Sequence, residues 1–391
     1  MINKYKKEQC NGCKMCKDLC PQEAISYCID SEGFWYPKVN YNLCNYCELC
    51  IKLCPQINDF ESKKNKPEVF AAWSNDKDIR LKSTSGGIFY ELAKNVINSG
   101  GYVVGARYTQ DYKGAEHIIV NSLNELEKLI GSKYLQSDTE NIYKKTKKIL
   151  EEGKKVLFCG TPCHNGALAN FLHKDYYNLI QCDFICRGIS SPKAQQKYIE
   201  MLEELYGAKV TFYRSKDKRE GWNNFGSSAK FENGKEYFAK KDEDTRVAAY
   251  HKGNLIMRLS CHDCKFRKIP RVSDITLGDF WGIKKSKKNP DLELGTSVVL
   301  LNSQKGKELF ESIVKDEQIT RYKKAFNDVL KGNPALFVNP IIGKNRDKFF
   351  IYIDRVRFDK LVNKYKDRIS FYRKILKKFK SITKKILYFF K

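Results

Sequence analysis

The chain has 391 residues and 15 cysteines, and 72 Lys and Arg against 46 Asp and Glu give a formal charge of +26. That length allows two or three domains with a real core. An odd number of cysteines, most at metal-type spacing, excludes a disulfide scaffold and points to a reducing compartment. No apolar run approaches the length of a bilayer-spanning helix.

Residues 1–7 (Met1, Ile2, Asn3, Lys4, Tyr5, Lys6, Lys7) have no apolar core, so no signal peptide is expected and a cytoplasmic location follows. Cys10, Cys13, Cys16 and Cys20 precede Pro21. Cys44, Cys47, Cys50 and Cys54 precede Pro55, each position recurring 34 residues later. This is the bacterial-type iron–sulfur spacing, in which three thiolates of a run take one cluster and the fourth reaches the other. It assigns Cys10, Cys13, Cys16 and Cys54 to one 4Fe-4S cluster, and Cys44, Cys47, Cys50 and Cys20 to a second. A zinc module would show two separated ligand pairs, which these runs do not resemble. Residues 25–40 between the runs predict a hairpin turning at Ser31-Glu32-Gly33. Residues 58–67 are polar, end in Pro67 and read as a linker.

From residue 69 strands and helices alternate, which predicts an α/β layered domain. Strands are expected at 69–73, 102–108, 155–159, 179–185, 274–279 and 297–302. Helices are expected from Ser83-Thr84-Ser85-Gly86-Gly87 to about 98, over 139–153, from Thr161-Pro162 onward, and over 191–207. Thr161 suits an N-cap with Pro162 in the first turn. Residues 225–241 predict a second hairpin turning at Asn233-Gly234.

Six further cysteines fall in pairs: Cys159 and Cys163, Cys182 and Cys186, Cys261 and Cys264. Cys261-x2-Cys264 suits chelation from one loop and predicts half of another four-thiolate site, for iron–sulfur or zinc. Spacing does not choose Cys163 over Cys159, or Cys186 over Cys182. Cys28 stands alone and is expected to be a small buried residue.

The charge is uneven. Residues 1–60 carry seven Lys and seven acids, whereas residues 344–391 carry a net +13. Residues 368–391 hold nine Lys or Arg and no acid, with apolar residues at helical spacing. A basic amphipathic helix of this kind suits peripheral contact with the inner face of a membrane, or packing on a partner. Nucleic acid is not an expected partner, because no binding module accompanies the charge.

Several segments resemble the coenzyme F-420 hydrogenase/dehydrogenase beta-subunit family. They are the ferredoxin-like runs, Ser83–Gly87, Gly131-Ser132-Lys133-Tyr134-Leu135-Gln136-Ser137, Gly160-Thr161-Pro162-Cys163, Asp183-Phe184-Ile185-Cys186-Arg187-Gly188, Cys261-His262-Asp263-Cys264 and Asp274–Gly282. The resemblance implies one FAD and a third 4Fe-4S cluster, with Cys163, Cys186, Cys261 and Cys264 as its ligands. Cys159 and Cys182 become structural. Three domains are expected: a dicluster 4Fe-4S ferredoxin-like module at 1–60, a larger α/β domain for FAD and 4Fe-4S at 68–343, and, from its charge and apolar spacing, a basic helical tail at 344–391. The fold class is thus α+β or α/β multidomain.

Ser85, Gly86 and Gly87 at a helix start suit a pyrophosphate. Lys133, Tyr134, Gln136, Thr161 and Asp279 are further candidate FAD contacts, and Trp281 is expected to pack. The family often has Gln where this chain has His164, and His where it has Arg187. His164 is the candidate catalytic acid/base. The function expected is an FAD- and 4Fe-4S-dependent oxidoreductase. It takes electrons from a low-potential donor such as ferredoxin and passes them to a two-electron acceptor, a small molecule or a partner enzyme. The resemblance hints at surface-polysaccharide metabolism, and use of coenzyme F-420 does not carry over. The alternative is a non-catalytic electron-transfer subunit of a larger redox complex.

Overall fold

The structure is a computed structural model, and it describes residues 2–58, 66–287 and 289–366. The amphipathic segment 368–391 and most of the linker lie outside those residues. Near the N-terminus the hairpin forms from β1 (Ile25–Ile29) and β2 (Trp35–Val39). It is flanked by short helices Met15–Leu19 and Leu49–Lys52, which carry Cys16 and Cys50. Cys28 is exposed on β1, not buried. Strand alternation directs it to the solvent face.

The rest of the chain is built on one eight-stranded mixed sheet and one three-stranded antiparallel sheet. In chain order the strands are β3 (Glu68–Ser74), β4 (Tyr102–Tyr108), β5 (Ala115–Val120), β6 (Val156–Cys159), β7 (Leu179–Phe184), β8 (Val210–Asp217), β9 (Gly226–Phe231), β10 (Glu236–Lys240), β11 (Ile275–Asp279), β12 (Ser297–Leu301) and β13 (Ile319–Lys323). The large sheet runs β13-β3-β12-β11-β7-β6-β4-β5. Its four inner strands β4, β6, β7 and β11 are parallel, and antiparallel strands flank them on both sides. All five residues of β12 are buried, as a strand covered on both faces requires. The small sheet runs β10-β9-β8.

The helices start where capping chemistry places them. Thr161 Oγ1 accepts from the His164 N–H at 3.3 Å, with Pro162 in the first turn of Pro162–Leu172. Ser191 accepts from the Ala194 N–H and starts Pro192–Tyr206. Helix Ile142–Glu151 has no side-chain cap of its own. Asp18 supplies one from the N-terminal segment, accepting from the Asn141 and Tyr143 N–H groups at 3.0 and 3.1 Å.

That cap is one of several bonds fastening the cysteine runs to the sheet. Thr139 and Tyr143 donate to the Cys13 carbonyl at 2.7 and 2.9 Å. Buried Arg258 donates to the carbonyls of Cys10 and Trp35 and to Gln136 Oε1, at 2.7, 3.0 and 3.0 Å. Gly12 has φ +69°, and a side chain there would run into Gln136 Nε2. Arg346, 1% exposed, grips both carboxylate oxygens of Glu32 in the hairpin.

The structured body extends past residue 343. Helices Arg346–Tyr352 and Phe358–Tyr365 bury Phe349, Phe358, Leu361 and Val362 in one core with Tyr198 and Leu202. Their many Lys and Arg disguised that apolar face. Among the described residues no helix is long and apolar enough to cross a membrane.

Candidate functional site

The cysteines gather into three groups. Burial pushes the Cys13 thiol well up, and Cys54, Cys16 and Cys10 push it further, so these four sit within one another's electrostatic reach. Cys54 therefore joins the run that precedes it in sequence by more than thirty residues. Cys16 also accepts or donates a 2.9 Å hydrogen bond with the Tyr27 hydroxyl. Cys20, Cys44, Cys47 and Cys50 wall a small recess behind β1 and β2. Burial raises Cys50, the N–H of Ile2 and the N-terminus lower it, and Cys20 and Cys47 raise it again.

The third group is Cys163, Cys186, Cys261 and Cys264. Cys163 is raised well above its ordinary value by burial, and, after a hydrogen bond from Thr161 that lowers it, by Cys264, Cys186 and Cys261. Cys261 is pushed up to about 12 by burial first and Cys186 next. Burial raises Cys186 too, and the nearby guanidinium of Arg267 pulls it back most strongly, with Arg271 also lowering it. Four half-buried thiols beside the buried cations Arg267 and Arg271 suit an anionic thiolate-bound group. Gly188 leaves room for them, since a Cβ there would meet Cys261 Cβ at 3.1 Å and Sγ at 3.5 Å. Cys159 and Cys182 stand apart from the group, facing each other across β6 and β7. Among the described residues, no three His, Cys, Asp or Glu side chains converge on a single metal-ion position.

A cavity of about 650 Å³ opens at the carboxyl ends of β4, β6, β7 and β11. Loops leaving those ends converge there because the strands are parallel, the usual ligand position in such sheets. Cys186 belongs to its wall, so the third thiol group borders it. Tyr143 lies between that group and the first, feeling the charge of both Cys13 and Cys163.

Of the candidate FAD contacts, Ser85, Gly87, Lys133, Tyr134, Thr161 and Asp279 line this cavity, as does His164. Gly86 and Gln136 do not. Gly86 packs against β12, donating its N–H to Ser297 Oγ at 2.9 Å, and a Cβ would meet the Ala72 carbonyl oxygen at 2.5 Å. Gln136 is fully buried and spans Gly12 and Arg258, which makes it a fastener of the N-terminal segment. Trp281 packs as expected, stacked on Trp222 at 4.8 Å.

The cavity wall holds strongly perturbed groups. Burial pulls the Lys133 amine down to about 7, and its Nζ donates to the Lys128 and Ile130 carbonyls. His164 is pushed well below its ordinary value by burial and then by His117, whose ring lies edge-on at 4.9 Å. His117 is itself lowered to about 4 by burial. His164 Nδ1 and His117 Nε2 have no hydrogen-bond partner among the described residues. Both imidazoles are therefore neutral at pH 7, each with a nitrogen free for an occupant. Asp279 Oδ1 accepts from Lys216 Nζ and from Trp222 Nε1, both at 2.8 Å.

Lys216, His117, Tyr250 and Arg214 went unread in the sequence. For two of them a signal exists: Arg214 and Lys216 are two apart on β8, and alternation puts them on one face.

The description "Coenzyme F420 hydrogenase/dehydrogenase, beta subunit" matches twice, through its N-terminal part at residues 69–144 and its C-terminal part at 153–324. The chain belongs to that family. Membership makes it a redox protein of the oxidoreductase class. The F420-reducing [NiFe] hydrogenase complex from Methanosarcina barkeri, solved in a xenon-derivatization study, contains a chain to which this one is similar. The likeness covers 78% of this chain and 92% of that one, at 18% identity and a TM-score of 0.46. No curated protein matches.

Proposed function

We propose that this beta-subunit family member is an iron–sulfur flavoprotein oxidoreductase. The single observation that carries the reading is the position of Cys186, at once in the third thiol group and in the cavity wall. When bound, 4Fe-4S clusters supply one-electron transfer, and FAD converts it to two-electron chemistry. Cys10, Cys13, Cys16 and Cys54 would hold one cluster. Cys20, Cys44, Cys47 and Cys50 would hold the second, and Cys163, Cys186, Cys261 and Cys264 the third. FAD fits the cavity, whose volume, apolar wall and unpartnered imidazole nitrogens match a small-molecule site.

The protein's own residues set the arrangement. Arg258, three residues before Cys261, holds the Cys10 carbonyl, and Lys265, next to Cys264, donates to the Gln56 carbonyl at 3.2 Å. Those bonds fix the N-terminal thiols against the third group. Thr161 caps the helix that presents Cys163, and its Oγ1 lies 3.0 Å from Cys163 Sγ. Asp279 holds Lys216 against the cavity, and Lys133 stands at its edge. His164 and His117 are placed to accept or hand on a proton inside it. A ferredoxin-type donor at the N-terminal module, a cytoplasmic location and a surface-polysaccharide role belong to this proposal on the strength of the resemblance.

The test is anaerobic reduction of the purified chain by a low-potential chemical reductant. Cluster absorbance should bleach first and flavin absorbance follow. In Cys186→Ala the clusters of the N-terminal segment should still bleach while flavin reduction slows by at least tenfold. Flavin reduction at the wild-type rate in that variant overturns the reading. Turnover of a small acceptor by the isolated chain favours the enzyme over the electron-transfer subunit.

A further inference from the structure

We propose that the basin beside the cavity, centred on Arg214, binds the dianionic phosphate or pyrophosphate end of a small-molecule acceptor. That the anion belongs to an acceptor rests on the redox reading above; the anion site itself does not.

The basin has a volume of about 700 Å³ and lies between β8 and the 127–133 loop. It shares Ile130, Gly131, Ser132, Lys133 and Lys216 with the cavity, so one molecule can extend from one into the other. Its wall carries six cations and one carboxylate, Glu127. Four of the cations are already paired. Lys82 meets Glu127 at 3.7 Å, Arg107 meets Glu116 at 2.8 Å, Lys128 meets Glu125 at 3.9 Å and Lys216 meets Asp279 at 2.8 Å.

Arg214 and Lys133 are left. The Arg214 guanidinium lies over the Phe212 ring at 5.3 Å and makes no hydrogen bond or ion pair among the described residues. Asp217, the acid whose charge reaches it, is already committed to Arg219 at 2.8 Å. Lys133 donates only to neutral carbonyls. Burial lowers both groups, so keeping two shielded cations without counter-charges costs free energy. A bound anion removes that cost. A guanidinium together with an amine that a bound anion keeps protonated matches a dianion better than a single carboxylate, and a free guanidinium fork suits phosphate oxygens. The volume lies in the range of small-molecule sites.

The experiment is calorimetric titration of inorganic pyrophosphate into the anaerobically purified full chain, with flavin quantified on the same samples. Wild type should bind. Arg214→Gln should bind at least tenfold more weakly with its flavin content unchanged, and Arg214→Lys should fall between. Arg214-dependent binding to a preparation lacking flavin would still uphold the anion site while sinking the redox reading. The proposal is overturned if Arg214→Gln binds pyrophosphate as tightly as wild type. It is equally overturned if that variant loses flavin in proportion, because the basin then holds the cofactor's own phosphates.

Discussion

Arg258 is the side chain whose loss should loosen the N-terminal thiol groups without disturbing the sheet. It is fully buried, has no carboxylate partner among the described residues, and gives its guanidinium to the Cys10 and Trp35 carbonyls and to Gln136. The rings of Phe34 and Tyr36 cover it, with centroids 5.2 and 4.3 Å from Cζ. Arg258→Met keeps much of the packing volume but removes three hydrogen bonds from a charged donor. Each is worth about 1.5–3 kcal/mol, and part returns because an unpaired buried charge is also removed. A net loss of about 4 kcal/mol is expected, which corresponds to roughly a thousandfold in a local opening equilibrium. Hydrogen exchange read by mass spectrometry under anaerobic conditions measures it. Amides in residues 10–36 should lose two to three orders of magnitude of protection, while those of β6 and β12 keep theirs. Protection of residues 10–36 within threefold of wild type would refute the reasoning that this guanidinium fastens the segment.

Cys54→Ala should cost the first thiol group its fourth member, lowering iron by about four atoms per chain, whereas exposed Cys28→Ala should leave iron unchanged; equal loss in the two would contradict the grouping. His117, lowered to about 4 by burial, binds a proton less readily folded than unfolded, so its contribution to stability is present above pH 6.5 and is lost as pH falls toward 4. Between pH 7 and 5 the loss is about 2 kcal/mol from this group alone, and His117→Gln should show a correspondingly smaller fall in melting temperature over that range. An identical fall in the variant would show that the imidazole is not held neutral.

The thiol groups were legible because cysteine spacing carries its own geometry. The crossing of Cys54 to the Cys10, Cys13 and Cys16 group follows from a proline that turns the chain after the fourth cysteine. The choice of Cys163 and Cys186 over Cys159 and Cys182 was not in the spacing. It depends on which residues leave the carboxyl ends of β6 and β7, and the fold makes Cys159 and Cys182 cross-strand neighbours instead. Strands β4 and β12 could be read from their apolar runs, but β5 and β8 could not. In β5 Glu116 and His117 interrupt the apolar run, and in β8 Arg214 and Lys216 take the places that apolar residues would hold on one side. Gly86 and Gln136 sit in the right segments yet face the packing side, because the strands and the N-terminal segment claim their polar groups first.

The most direct test of the central claim is quantification of iron, acid-labile sulfide, zinc and flavin per chain after anaerobic purification. Three four-iron clusters and one flavin predict about twelve iron atoms, one FAD and no zinc. Stoichiometric zinc in place of iron at Cys163, Cys186, Cys261 and Cys264, or a chain that never retains flavin, would contradict it.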